Sequence, residues 1–407
     1  MKKTKILHYK SRILCVLYNG SSNGENAKME SETESLSEKL GGRDIIVLGS
    51  IKIRLLFFDS LGAKCSSVLV ETPDVSILID PGAAGLQPSF PLPREEKARL
   101  REEAFKRIRR YGASSDIVVI THYHYDHHVH PSRIEEMTCL FRDKILLVKD
   151  PNQWINKSQR SRAFKFLSEI YRISGGNKPF KDFMETSRFE MTSDPFERHP
   201  KTVALWERSK GKKLKVYQAK KRWFEKIVEN WKRNKWVKSF EVGGTKILFA
   251  DDREFIFGDT RIKFTFPLFH GQFLDNVGWV IGLTVEHAGN RFLFSSDLQG
   301  PIIEEYAEWI INSKPNVIVA DGPPLYTYGF MIGKEEIKNV INNMQRIICE
   351  ARPSKIIWDH HICRGIFRPK MREVYLYAEK EGVDICTAAE HIGLKPMIEQ
   401  VKLPKSK

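Results

Sequence analysis

Three imidazoles and a carboxylate fall within six residues, in His122-Tyr123-His124-Tyr125-Asp126-His127. Divalent ions of the zinc type take imidazole nitrogen and carboxylate oxygen at roughly 2 Å, so the stretch has the donors of a metal site. The continuous apolar run Ile117–Ile120 leads straight into it, as expected of a strand covered on both faces. Alternation at the end of that strand puts His122 and His124 on one side. Asp126 and His127 then turn toward a neighbouring position. His128 and His130 read as polar loop residues rather than ligands.

More groups of the same type end other apolar runs. Asp80 closes Ile77-Leu78-Ile79-Asp80-Pro81-Gly82, and His270 follows Pro267-Leu268-Phe269. Asp297 follows Phe292-Leu293-Phe294-Ser295-Ser296, and His360 follows Ile356-Ile357-Trp358-Asp359. Beside them stand His361, an alternative to His360; Asp321, lining a cleft or capping a Gly-Pro turn; and Arg364, meeting an anionic group or forming an ion pair.

His-x-His-x-Asp-His after an apolar strand, with these later elements in this order, resembles the metallo-β-lactamase superfamily of metal-dependent hydrolases. The resemblance runs from about residue 45 to 395. Ser295-Ser296-Asp297-Leu298-Gln299-Gly300-Pro301, Asp321-Gly322-Pro323-Pro324 and Asp359-His360-His361 resemble more specifically an uncharacterised archaeal branch of it. A long basic segment, an N-terminal extension and Gly365, where an acid is expected after Arg364, depart from that branch. The resemblance implies an α/β fold, a four-layer αβ/βα sandwich with a basic helical insertion and the site at the sheet edge. It implies that His122, His124 and His270 hold one ion, that Asp126, His127 and His360 hold a second, and that Asp297 bridges them. Asp80 would orient ligands through hydrogen bonds; Asp126, His127 and Asp80 are the candidate catalytic residues. The implied cofactors are two divalent ions, zinc first, with manganese or iron suiting the same ligands. Two close cations lower the pKa of a shared water from about 15.7 to about 7. A carboxylate at the bridging position, rather than a cysteine, points away from β-lactams and toward phosphodiesterase-like or thioesterase-like chemistry.

The elements that must position these groups read as follows. Strands are expected at Ile45–Leu48, Lys52–Phe58, Ser67–Glu71, Ser76–Ile79, Ile117–Ile120 and Lys144–Lys149. They resume at Lys246–Ala250, Glu254–Phe257, Arg261–Pro267, Val277–Glu286, Arg291–Ser295, Val317–Ala320 and Lys355–Trp358. Helices are expected at Arg94–Arg110, from after Lys149 through Tyr171, at Ile303–Ile311 and at Glu335–Glu350. Strands followed by mixed strands and helices, twice over, indicate a layered α/β sandwich. Residues 1–43 read as a disordered N-terminal extension, with Met29 a candidate natural start; 44–400 form the metallo-hydrolase domain; 176–240 are an insertion within it.

The net charge of +15 is concentrated in that insertion. Lys201–Lys238 holds fourteen Lys or Arg against three Glu, a net of +11, leaving 15 − 11 = +4 elsewhere. Phe224, Ile227, Val228 and Trp231 form one apolar stripe on a helix over Lys220–Lys238. Its basic positions, among them Lys221, Arg222 and Arg233, either form a solvated face or contact nucleic acid, with exposed Trp223 or Trp236 stacking on bases. No stretch is long and apolar enough to span a bilayer, and Lys5, Lys10 and Arg12 interrupt the first apolar patch as no signal peptide allows. A cytoplasmic protein is therefore expected. None of the six cysteines forms a CxxC pair, so neither a disulfide framework nor a structural zinc cluster is expected. The reading is a metal-dependent hydrolase acting on a small molecule or a nucleic acid, leaning to phosphodiesters. Its rivals are a thioester or ester hydrolase with the same centre, and a non-catalytic nucleic-acid binder on this scaffold.

Overall fold

Two eight-stranded sheets carry the chain, in a computed structural model that describes residues 2–5, 42–187, 189 and 195–401. The first sheet runs, in spatial order, Phe240–Val242, Thr245–Phe249, Ile145–Val148, Ile117–Ile120, Ser76–Ile79, Ser66–Glu71, Ile51–Phe58 and Ile45–Leu48. The second runs Lys2–Lys5, Arg253–Phe257, Thr260–Phe264, Leu283–His287, Asn290–Phe294, Val317–Asp321, Lys355–Asp359 and Asp384–Cys386. Of residues 1–43, expected to lack structure, Lys2–Lys5 form an edge strand parallel to Arg253–Phe257. The others, apart from Gly42 and Arg43, lie outside the described residues.

The core is layered because short β-branched strands bury both faces. Ile77, Ile79, Ile117 and Val119 of the first sheet meet Phe255, Val285, Phe292, Val317 and Ile357 of the second between the sheets. Leu78, Val118 and Ile120 face outward instead, against Phe105 and Ile108 of helix Arg94–Gly112 and Phe166 and Ile170 of helix Lys157–Ile173. Ile318, Ile356 and Trp358 face helices Glu304–Ser313, Lys334–Arg346 and Arg368–Glu381. Helix, sheet, sheet, helix is the four-layer αβ/βα sandwich. Each fully buried side chain of this kind stabilises by about 1.5–3 kcal/mol.

Strand direction puts the chemistry at one edge. Ser76–Ile79, Ile117–Ile120 and Ile145–Val148 are parallel, with Ile77 beside Ile117 and Val118 beside Leu146. Two antiparallel steps make Ile51–Phe58 run the same way. Asp59, Asp80 and His122 therefore leave the first sheet on one side. In the second sheet Asn290–Phe294, Val317–Asp321 and Lys355–Asp359 are parallel and deliver Asp297, Asp321 and His360.

Some elements differ from expectation. Val277–Glu286 is not one strand but two, Trp279–Val280 and Leu283–His287. Ile281 leaves the ladder because its amide donates to the Thr121 carbonyl, at the base of the histidine loop. The insertion's helix spans Lys212–Arg233, not Lys220–Lys238. It stops at Asn234 because Trp236–Val237 pairs instead with Met184–Glu185.

Candidate metal centre

The histidine loop leaves Ile120 under tight control. Thr121 donates its backbone N–H to Asp80 Oδ1 at 2.8 Å and its hydroxyl to Asp80 Oδ2 at 2.6 Å. Gly82 makes room behind the loop: a Cβ there would lie 2.3 Å from the His128 nitrogen. Three non-glycine residues at strand ends hold left-handed backbone, Asp80 at φ 47°, Ser296 at φ 53° and His360 at φ 61°. Such conformations cost free energy and cluster where side chains must be aimed.

The aimed side chains meet between the sheets. His122 Nε2 lies 3.1 Å from His124 Nδ1 and 3.5 Å from Asp297 Oδ2, which is 3.0 Å from His270 Nε2. These four form one group whose ligand atoms all lie within 4.8 Å of one another. Asp126, His127 and His360 form a second such group, with His127 Nε2 3.2 Å from His360 Nε2 and His360 Nε2 3.7 Å from Asp126 Oδ2. Asp297 reaches both, its Oδ1 3.2 Å from His127 Nε2. Asp297, His360 and His361 make a third, overlapping group.

These groups fit divalent ions. Donors about 2 Å from a tetrahedral ion lie roughly 3.3 Å apart, and the first group's closest spacings are 3.0–3.5 Å. His270 Nε2 and both Asp297 oxygens are buried without a well-aligned hydrogen bond. Burial holds His122 and His124 well below the ordinary imidazole pKa, in the neutral form that ligates. Burial alone would raise the Asp297 carboxyl, but His127, His360 and His122 outweigh it and keep it ionised. At His127 burial pulls the pKa down, yet Asp297 and Asp80 lift it to about 10. The surrounding acids call for positive charge at that point.

The remaining expected residues fall around this cluster. Asp80 stands behind His127, its Oδ2 accepting from Nδ1 at 2.8 Å, and not among the ligand atoms. Asp321 accepts from the Gln299 and His361 backbone nitrogens at 3.0 and 3.1 Å and pairs with His361 Nδ1 at 2.9 Å. Burial, then the charge of Asp297, pushes its carboxyl up to about 8. Arg364 is buried and ion-paired to Asp59 and Asp126. His128 is buried away from the cluster, Nδ1 on the Val129 carbonyl, and His130 bonds Ser132 at the surface. Asp59 is a site residue that the motifs do not single out: its Oδ1 lies 2.7 Å from His360 Nδ1. A signal for it exists, since Phe57-Phe58-Asp59 ends an apolar strand as Ile79-Asp80 does.

The insertion corrects one expectation. Trp236 is buried and donates to the Trp231 carbonyl at 3.0 Å. Trp223 is half-buried and stacks on Trp279, ring planes 5° from parallel. Neither is an exposed platform, because the helix's aromatic stripe is needed to cover Trp279 and Phe269 beside the His270 loop. Lys221, Arg222 and Arg233 are not among the ligand groups; all three are exposed.

Sandwich, strand-edge site and motif order together define a metallo-β-lactamase-fold protein, of a superfamily whose members are generally hydrolases. The Metallo-beta-lactamase superfamily profile matches residues 62–128. A UPF0282 protein of Methanocaldococcus jannaschii is 30% identical over 355 residues, covering 86% of this chain and 94% of the relative. One of Methanopyrus kandleri is 28% identical over 347 residues, covering 83% and 92%. The chain belongs to this UPF0282 family, the archaeal branch its motifs resemble. Among solved structures, the metallo-beta-lactamase fold protein YhfI from Bacillus subtilis covers 83% of the chain and 95% of itself at 12% identity and TM-score 0.40. Yeast PDE1 covers 84% and 99% at 10% identity and TM-score 0.40. Among the described residues, no helix is long and apolar enough to cross a membrane.

Proposed function

We propose that the protein is a hydrolase working through two divalent ions, zinc in the first instance, and that its substrate is a phosphodiester, RNA or DNA included. The observation that carries this reading is the donor set itself. Seven side chains from distant segments approach at ligand spacing, and the shared carboxylate Asp297 lies between two groups without a well-aligned partner of its own. Bound ions of this type activate water and stabilise a developing oxyanion.

The chain's own residues supply the preparation. His122 and His124 offer neutral imidazoles, and His270 turns its Nε2 toward Asp297. The carboxylates Asp80 and Asp59 accept from Nδ1 of His127 and His360, which turns both Nε2 atoms into the cluster. The phosphodiester lean rests on the +11 segment at 201–238. Its Lys221, Arg222 and Arg233 would neutralise backbone phosphates.

Elemental analysis of purified protein, then a hydrolysis panel with and without chelator, tests this. The expected outcome is a divalent ion bound and chelator-sensitive cleavage of a generic phosphodiester or single-stranded nucleic acid. Asp126→Asn and His122→Ala should each remove activity while the circular dichroism spectrum stays unchanged. Full turnover in either variant rejects the site assignment. Activity on acyl thioesters with none on phosphodiesters selects the thioesterase reading.

A further inference from the structure

The two ligand groups are supported by different chemistry. In the first, the partners behind the imidazoles are neutral. His122 Nδ1 has the Thr121 and Ser296 hydroxyls at 3.3 and 3.4 Å, and His270 Nδ1 has the Gln299 amide at 3.3 Å. In the second, every ligand is backed by an ionisable group. Asp80 holds His127. Asp59 Oδ1 accepts from His360 Nδ1 at 2.7 Å, and its Oδ2 accepts from Arg364 Nε at 2.5 Å. Arg364 Nη2 donates onward to Asp126 Oδ2 at 2.9 Å. Asp59 is fully buried and Arg364 is 5% exposed, so water cannot stand in for either.

We infer that Asp59 and Arg364 form one buried clamp that positions Asp126 and His360, and that this clamp sets how tightly the second ion is held. The inference rests on the dinuclear reading above. A guanidinium is the one side chain that spans two carboxylates with its planar fork, Nε on one and Nη2 on the other. Asp59 is anchored in turn by the Cys65 backbone nitrogen at 2.8 Å. A ligand carboxylate and a ligand imidazole, 234 positions apart in sequence (360 − 126), are thereby fixed through a single guanidinium. The first group shares no member with this clamp.

Asp59 and Arg364 are positioning residues, and their role is read from ion binding rather than turnover. Ion-free protein is titrated with cobalt(II) and with zinc against a chromophoric chelator, resolving two affinities. Lys in place of Arg364 keeps the charge but cannot bridge both carboxylates. Arg364→Lys should weaken the second ion by about 10- to 100-fold and leave the first within threefold. Asp59→Asn should do the same through His360, and it carries the test alone should Arg364→Lys fail to fold. Equal weakening of both ions, or an unchanged second affinity, overturns the clamp. Wild-type protein that binds one ion overturns it too. Wild-type protein that binds none overturns instead the hydrolase reading beneath it.

Discussion

Asp150 carries a cost that can be measured apart from the metal centre. It follows strand Ile145–Val148 and is buried beside Asp251, the carboxylate that pairs with the fully buried Lys149 ammonium at 2.5 Å. Burial first, then the charge of Asp251, raises the Asp150 carboxyl from 3.8 to about 6. Between pH 3.8 and 6 the folded protein therefore binds more protons than the unfolded chain. Stability attributable to this group falls as pH rises through that window, and the penalty is complete above it. Asp150→Asn keeps a carbonyl to accept from the Asn152 nitrogen, now 2.8 Å from Oδ1, and removes the charge. The variant should gain up to about 3 kcal/mol at pH 7–8 and nothing below pH 3.8, read from urea unfolding midpoints. No gain at pH 8 would mean that Lys149 compensates both acids. Single residues differ in how openly the sequence declares them. His122, His124, Asp126 and His127 stand together and are legible. Asp59 is far less so: its one signal, an acid after an apolar strand, is commonplace, and its partners His360 and Arg364 lie about 300 positions away.

Helix Lys212–Arg233 has two faces with separable consequences. Phe224, Val228 and Trp231 are buried against Trp154 and Trp279, and Trp231 Nε1 donates to the Ile155 carbonyl at 2.8 Å. Trp231→Ala should therefore cost about 3–5 kcal/mol in urea unfolding. Lys221, Arg222 and Arg233 belong to the polar face, and reversing them to Glu leaves the aromatic stripe intact. The melting temperature should stay unchanged, while the log–log salt slope of nucleic-acid binding should flatten by about one unit for each phosphate no longer neutralised. An unchanged slope would return this face to simple solvation. Elements of this kind are legible in proportion to their periodicity. Ile117–Ile120 and Arg94–Gly112 announce themselves, and so does the stripe on this helix. Periodicity does not say what covers an apolar face, however, so it leaves both core and stacking platform open for Trp223 and Trp236. Trp279, in the short strand that pairs with Leu268–Phe269, settles the matter only in three dimensions. The split of Val277–Glu286 is hidden for the same reason, since the Ile281–Thr121 bond joins segments 160 positions apart (281 − 121).

At the scale of the molecule, the candidate metal centre lies in a seam between two sheets. His122, His124, Asp126 and His127 come from the first sheet's edge, and Asp297 and His360 from the second's. Hydrogen bonds cross the same seam: the Thr121 and Ser296 hydroxyls lie 2.7 Å apart, and Ser60 N–H donates to Asp359 Oδ1 at 3.1 Å. At the opposite end other hydrogen bonds tie the sheets, Ser50 Oγ to His287 Nδ1 at 2.5 Å and Thr72 to Thr260 at 2.8 Å. Sheet docking is therefore secured at the far end by these polar contacts, and at the site by hydrogen bonds and the Asp59–Arg364–Asp126 ion pairs around ligands that converge without a common partner. An ion bound there would join both sheets at once and would bind the folded chain far better than the unfolded one. It should stabilise by RT ln(1 + [L]/Kd), about 2.7 kcal/mol at a hundredfold excess over Kd. Stripping ions with chelator should lower the calorimetric melting temperature, and adding zinc back should restore it. His287→Ala should lower the melting temperature of both forms by the same amount, because its contacts lie at the far end, while Asp126→Asn should shrink the gap between them. A gap that survives Asp126→Asn undiminished would place the stabilising ion entirely in the group of His122, His124, His270 and Asp297.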